Sequence, residues 1–184
     1  MNWLSASLWF VIFAKMAYAQ ALPPGMIMHR TQAGTLDKSG WTSAESTQGA
    51  FKVSLPCKFN DFTVEEKDPT SPTEKTFTVG CLRTDRSKFS ATRVQYRQAT
   101  AAKTFFDKNS SATSGPGEVQ GAGRHAGLPF VDRALRDSTQ CGFMRFISAP
   151  PDNLVMIVEA PASACTGLDS MKERFFRSLA VEKR

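Results

Sequence analysis

From Trp41 onward the chain alternates apolar and polar positions in short runs, the period of half-buried strands. Phe51, Val53, Leu55 and Cys57 share one side of a run, and Phe77, Val79 and Cys81 share one side of the next. Between them, residues 64–74 are charged and carry Asp68-Pro69 and Ser71-Pro72, which are turn signals. A shorter run spans Trp41 to Ser46 and turns through Thr47-Gln48-Gly49. Further strands are predicted at Lys75 to Arg83, Lys88 to Arg97, Glu118 to Arg124 and Phe130 to Arg136. The most apolar pair, Cys141 to Ala149 and Leu154 to Ala160, is predicted to be central.

The period changes twice. After Gln98, Ala99, Ala101, Ala102, Phe105 and Phe106 predict a helix ending near Asn109, with Ala102, Phe105 and Phe106 as its buried stripe. A Ser/Gly/Pro loop follows from Ser110 to Gly117. The chain closes with an amphipathic helix from about Gly167 to Ala180, with Leu168, Met171, Phe175 and Leu179 on one face and Asp169 near its start. Strands, helix, strands, helix describe an α+β domain, a largely antiparallel β-sheet packed against one or two helices.

The first forty residues follow neither period. Trp3 to Ala14 is a nearly unbroken apolar run of 12 residues, shorter than the roughly 20 that a spanning helix needs. It leads to Ala17-Tyr18-Ala19, the small-x-small pattern of a cleavage site, so residues 1–19 are expected to be a signal peptide cut before Gln20. The pattern departs from the usual one in having no Lys or Arg before the apolar run. Residues 20–40, punctuated by Leu22-Pro23-Pro24-Gly25, are expected to be an extended or mobile lead-in. Residues 41–184 are then a single domain, and the mature chain is expected to carry no transmembrane segment.

All four cysteines lie after the expected cut, and an even count in an exported chain points to two disulfides. Three connectivities exist. A hairpin centred on Pro69 sets Cys57 opposite Cys81, within disulfide reach. A second hairpin, turning at Pro150-Pro151-Asp152-Asn153, is flanked by Cys141 and Cys165, provided that the chain bends after Pro161. Cys57–Cys81 with Cys141–Cys165 is therefore the favoured pairing. No Cys-x-x-Cys is present, and neither histidine is near a cysteine in sequence, so staples are favoured over a metal or redox site. Such pairs belong to a periplasm or to the secreted fraction.

One arrangement resembles a known family. It runs from Trp41 through Gly49-Ala50-Phe51-Lys52-Val53-Ser54-Leu55-Pro56 and Gly123-Arg124-His125-Ala126-Gly127-Leu128 to Glu173-Arg174-Phe175-Phe176-Arg177-Ser178-Leu179. This is similar to the small exported domains related to the photosystem II extrinsic PsbP protein and the bacterial DcrB-like proteins. The resemblance covers about residues 41–182 and rests on short structural motifs. It implies an antiparallel sheet packed against helices and an assembly, stabilising or binding role, with no shared catalytic constellation. The four cysteines depart from the family's pattern.

Charge and chemistry narrow the function less. The net charge of +6 falls to +5 once Lys15 is removed, and the charges alternate in sign along the chain. No basic stripe interleaved with aromatics marks a nucleic-acid reader. The closing helix and tail carry Lys172, Arg174, Arg177, Lys183 and Arg184, an expected interaction surface for an acidic protein partner or an anionic surface. There is no Gly-x-Ser-x-Gly elbow. His125 sits in an expected turn, where a hydrolase would need Asp132 or Asp137 beside it. The Gly115-Pro116-Gly117 and Gly121-Ala122-Gly123 clusters lack the strand-then-helix context of a phosphate loop. Met26-Ile27-Met28-His29 has copper-like donors but is an incomplete ligand set. The expectation is an exported, disulfide-stabilised, non-enzymatic binding or assembly protein with no cofactor. The alternative is a small periplasmic hydrolase or ligand-binding enzyme with a cleft near His125.

Overall fold

A computed structural model describes residues 23–182, so the expected signal peptide and the tail residues Lys183 and Arg184 lie outside the described residues. Eleven strands and two α-helices follow one another among them: β1 (Met26–Ala33), β2 (Thr42–Glu45), β3 (Phe51–Leu55), β4 (Phe59–Glu65), β5 (Thr73–Leu82), β6 (Lys88–Tyr96), α1 (Ala99–Ser110), β7 (Glu118–His125), β8 (Leu128–Arg136), β9 (Gln140–Ala149), β10 (Asp152–Pro161), α2 (Leu168–Arg177) and β11 (Ala180–Val181). Eight strands form one antiparallel sheet in the order β1-β4-β5-β6-β10-β9-β8-β7, and β11-β3-β2 form a second, small sheet. The α+β description fits, with the sheet dominant.

The register explains how one sheet serves two cores. Thr63, Phe77, Arg93, Leu154, Ile147, Phe130 and Gly123 stand opposite one another in one row across the strands. Two residues along, Asp61, Val79, Ala91, Met156, Arg145 and Asp132 form the next row on the same face. The small sheet and α2 cover this face, burying Trp41, Phe51, Val53, Leu55, Phe89, Phe175 and Phe176 together. Each such side chain contributes roughly 1.5–3 kcal/mol relative to exposure. On the opposite face, Val94, Val131, Met144, Phe146 and Val155 pack with Phe105 and Phe106 of α1 and with Tyr96. Trp41 meets Phe89 edge-on in the first core.

Both expected disulfides form, with Cα–Cα distances of 5.9 Å for Cys57–Cys81 and 6.0 Å for Cys141–Cys165. The route to the first differs from the expected one. The run from Phe51 to Cys57 is not a single strand pairing with β5. It breaks at Pro56: β3 joins the small sheet, and the partner of β5 is β4, with Asn60 opposite Gly80. Proline supplies no backbone N–H to continue a ladder, so the chain changes sheets there and Cys57 lies in the link. The second disulfide has the expected bend: a 3-10 turn, Ala162–Ala164, folds the chain after β10. The lead-in contributes β1, and two further differences concern the last helix. Met26–Ala33 of the lead-in is extended and paired with β4. The last helix stops at Arg177, and Leu179 enters the core from the link to β11. That helix buries Phe176 as well as Leu168 and Phe175, while Met171 is only partly buried.

Candidate functional site

The basic residues of α2 are held by the chain itself. Lys172 Nζ lies 4.3 Å above the Phe143 ring and 3.1 Å from Asp169, the first-turn acid. The Arg174 guanidinium lies 4.3 Å above the Trp41 ring and 3.5 Å from Asp37. Asp37 is held below its ordinary carboxylate range, first by the Ser39 hydroxyl and then by the Trp41 amide. Arg177 projects furthest, its side chain 80% exposed, and lies 3.5 Å from Glu173. Each cation thus has an acid beside it, and the described part of this helix presents alternating charge.

Both histidines fasten one element to another. His125 ends β7, and its Nε2 donates to the Leu179 carbonyl at 2.6 Å, tying the β7–β8 turn to the chain leading into β11. A carbonyl only accepts, so the proton sits on Nε2. The acids that a hydrolase would place beside His125 are engaged elsewhere. Asp132 accepts two bonds from Arg145, and Asp137 accepts from Thr139 and Gln140, which hold its carboxyl below the usual range. Neither acid named for the alternative hydrolase reading hydrogen-bonds His125, whose imidazole is held by the Leu179 carbonyl. His29 Nε2 shares a hydrogen bond with Thr63 Oγ1 at 2.8 Å, while Met26, three residues earlier, is buried in β1. The Gly121-Ala122-Gly123 cluster is strand, inside β7.

Buried polar groups gather in two other places. Under the turn after β2, Asp61 Oδ2 accepts from Arg30 Nη2 at 2.9 Å and from the Thr47 amide at 3.0 Å, and Arg93 donates to the Gly49 carbonyl at 2.6 Å. In the loop after α1, the guanidinium of Arg133 donates to the carbonyls of Asn109, Ser111, Pro116 and Gly117 at 2.6–2.9 Å. Burial pulls the Arg133 pKa down, and no acid is among its hydrogen-bond partners. A shallow depression beyond α1 is lined by Leu135, Gly142, Met144, Ile157 and Glu159. Burial raises the Glu159 pKa, opposed by Lys88 at 3.6 Å. Burial also pushes the Tyr96 phenol up to about 12.

The two edges of the large sheet differ. β1 shifts register twice, between Met28 and Arg30 and between Arg30 and Ala33, and Arg30 is pinned to Asp61. Irregularities of this kind blunt an edge. β7 shifts once, at Gln120, which leaves Gly121–His125 in regular pairing with β8. Its side chains are exposed or half-exposed throughout. Gly123 is accounted for within the chain, because the Phe130 ring would lie 3.0 Å from a Cβ there. Gly121 flanks the register shift; its φ is not positive, and nothing lies within 4 Å of where a Cβ would be. A glycine in a strand costs stability and is common beside a bulge of this kind. The sequence signal is the glycine pair within the strand-like run from Glu118 to Arg124.

The fold and staples define a class: a two-sided antiparallel sheet with a small second sheet and two helices, clamped by two disulfides. Within the described residues no helix is long and apolar enough to cross a membrane. No known family model matches the chain, and neither does any curated protein. Among solved structures, it is similar to a crystal structure from Bacteroides thetaiotaomicron VPI-5482, at 10% identity over 79% of this chain and 50% of that one, with a TM-score of 0.45. The chain thus spans half the length of that protein. It is also similar to the solution structure of cyanobacterial PsbP (CyanoP) from Synechocystis sp. PCC 6803, at 11% identity over 82% of this chain and 98% of that one, with a TM-score of 0.46. Likeness at this level specifies neither ligand nor partner.

Proposed function

We propose that this chain is an exported, disulfide-stapled binding or accessory domain that takes an extended protein segment along the outer edge of β7. The observation that carries this reading is the regularly paired run Gly121–His125, exposed at Ala122, Gly123 and Arg124 and half-exposed at its ends, on the last strand of an eight-stranded sheet. An edge strand offers a row of backbone donors and acceptors, and a segment that adds a strand there gains main-chain hydrogen bonds. Export rests on the Trp3 to Ala14 run and Ala17-Tyr18-Ala19, with the two disulfides as independent support. In this reading residues 41–184 form one domain, to which the lead-in adds β1.

The test is affinity capture from the exported fraction with the mature protein and with Gly121→Lys, which places a long cation on the edge. Partners held by the wild type and released by the variant support edge docking. Equal capture by both proteins overturns it. Intact-mass measurement of the exported protein shows whether the chain begins at Gln20.

A further inference from the structure

The face of the large sheet that carries α1 continues past that helix onto β5, β4 and β1. There Met26, Val64, Thr76 and Val94 stand in one row, and Met28, Phe62, Thr78 and Thr92 in the next. Among the described elements, α1 packs on β9, β10 and β6, and Arg133 of β8 draws in the loop that follows it. Neither reaches over β4 and β5. A sheet face open to water would leave Phe62 exposed, yet Phe62 is 2% exposed and Thr78 3%, with Met26, Thr76 and Thr92 buried beside them. We infer that the apolar segment Trp3–Ala14 of this same chain, while it is still attached, seats in this half of the face.

The chemistry of the face suits an apolar helix. No Asp, Glu, Lys or Arg stands in either row. The middle strands carry small side chains, Thr76 and Thr78 on β5 and Thr92 on β6, and larger ones flank them: Met28 and Phe62 on one side, Val155 on the other. The hydroxyls of Thr78 and Thr92 bond each other at 2.9 Å, so the floor asks no hydrogen bond of its occupant. From β4 to β10 is three strand spacings, about 14 Å, which admits one helix about 10 Å wide. Trp3–Ala14 has no charged side chain, and its 12 residues make a helix about 18 Å long. The described chain begins beside the groove, because Met26 both lies in it and donates its amide to the Pro23 carbonyl at 3.0 Å. The residues between Ala14 and Pro23 can extend roughly 30 Å, enough to lead back over the face. The other chain ends outside the described residues, Lys183 and Arg184, are cations and unsuited to it. Cleavage before Gln20 then opens the groove. This inference is independent of docking at β7, which is the far edge of the sheet.

The test compares the full chain, residues 1–184, with the chain begun at Gln20, both disulfide-bonded and free of detergent. The full chain should stay soluble and monomeric in sedimentation, because its apolar run is covered. The dye anilinonaphthalenesulfonate, which reports open apolar surface, should brighten several-fold more with the shorter chain. A synthetic peptide of residues 1–19 should displace it. Thr78→Lys in the shorter chain should abolish peptide binding and leave the melting temperature nearly unchanged, since the lysine there reaches water. Should that variant not fold, the peptide carrying Phe10→Asp decides, and it should displace the dye far less. A full chain that needs detergent, equal dye binding by the two chains, or peptide binding indifferent to these substitutions overturns the inference. So does a shorter chain that excludes the dye by dimerising or by retaining a lipid, which gives the groove to that occupant.

Discussion

Arg145 and Asp132 face each other across β9 and β8 and share two hydrogen bonds of 2.7 Å, Nε to Oδ1 and Nη2 to Oδ2. The guanidinium also lies 4.0 Å from the Phe130 ring centre and 4.8 Å from that of Phe176. Phe176 comes from α2, so this one cation joins the large sheet to the layer above it. Removing the acid leaves a nearly buried charge without its partner. Asp132→Ala is expected to cost about 3 kcal/mol in urea unfolding, at the low end for a broken buried pair because Asp132 is partly exposed. Arg145→Met, which removes charge and keeps bulk, should cost less. If Asp132→Ala proves the milder of the two, the pair is not what holds this corner.

Arg133 acts locally. Its guanidinium gathers the carbonyls of Asn109, Ser111, Pro116 and Gly117, the last turn of α1 and both ends of the α1–β7 loop. Arg133→Ala frees those carbonyls to water, so a loss of about 2 kcal/mol is expected. Amide exchange in residues 110–117 should quicken while the central strands stay protected. Lysine has fewer donors in a different geometry, so Arg133→Lys should not restore the loop. Equal exchange rates in the loops of wild type and Arg133→Ala would remove this assignment.

The two disulfides each span a sequence separation of 24 residues, which gives each about 3.5 kcal/mol by the loop-entropy relation. The paired variants Cys57→Ser with Cys81→Ser, and Cys141→Ser with Cys165→Ser, should each lower stability on that scale. Mixed double variants that take one cysteine from each bridge should be worse, because they lose both bridges and leave two free thiols. Urea midpoints of the paired and mixed variants beside the wild type decide this. A mixed double variant as stable as the paired ones would contradict the connectivity.

How much of this was legible depended on the range of the cause. Alternation placed β5, β6, β9 and β10 within about two residues, because the period of a strand is local. Both disulfide pairings were expected from hairpins, but the hairpin expected for Cys57–Cys81 does not form: β5 pairs with β4, and Cys57 lies in the link before it. What the residue pattern missed was non-local. The split at Pro56 sends β3 to another sheet, where it pairs with β2 and with β11 from the far end of the chain. Leu179 fits a helical stripe by spacing, yet the pairing of Ala180 with Lys52 takes the chain out of the helix first. The partner of His125 lies 54 residues away, and the open space at Gly121 exists only once β7 is known to be an edge.

Glu159 gives a prediction with a definite pH dependence. It lines the depression beyond α1 together with Ile157 and Leu135, and burial raises its pKa above the ordinary 4.5, with Lys88 acting in the opposite direction. A carboxyl with a raised folded pKa binds its proton more tightly in the folded state than in the unfolded state. Its contribution to stability is full below the unfolded pKa and is lost as pH rises through the folded one. Glu159→Gln mimics the protonated form at every pH. Its melting temperature relative to wild type should therefore climb between about pH 4 and 7, by no more than the roughly 3 °C that 1 kcal/mol gives a domain of this size. The gain should be larger when Lys88 is replaced by Met in both proteins, since the attraction that offsets burial is then gone. A difference that stays flat across this range, or that falls as pH rises, would show that the Lys88 pair outweighs the burial of the carboxylate.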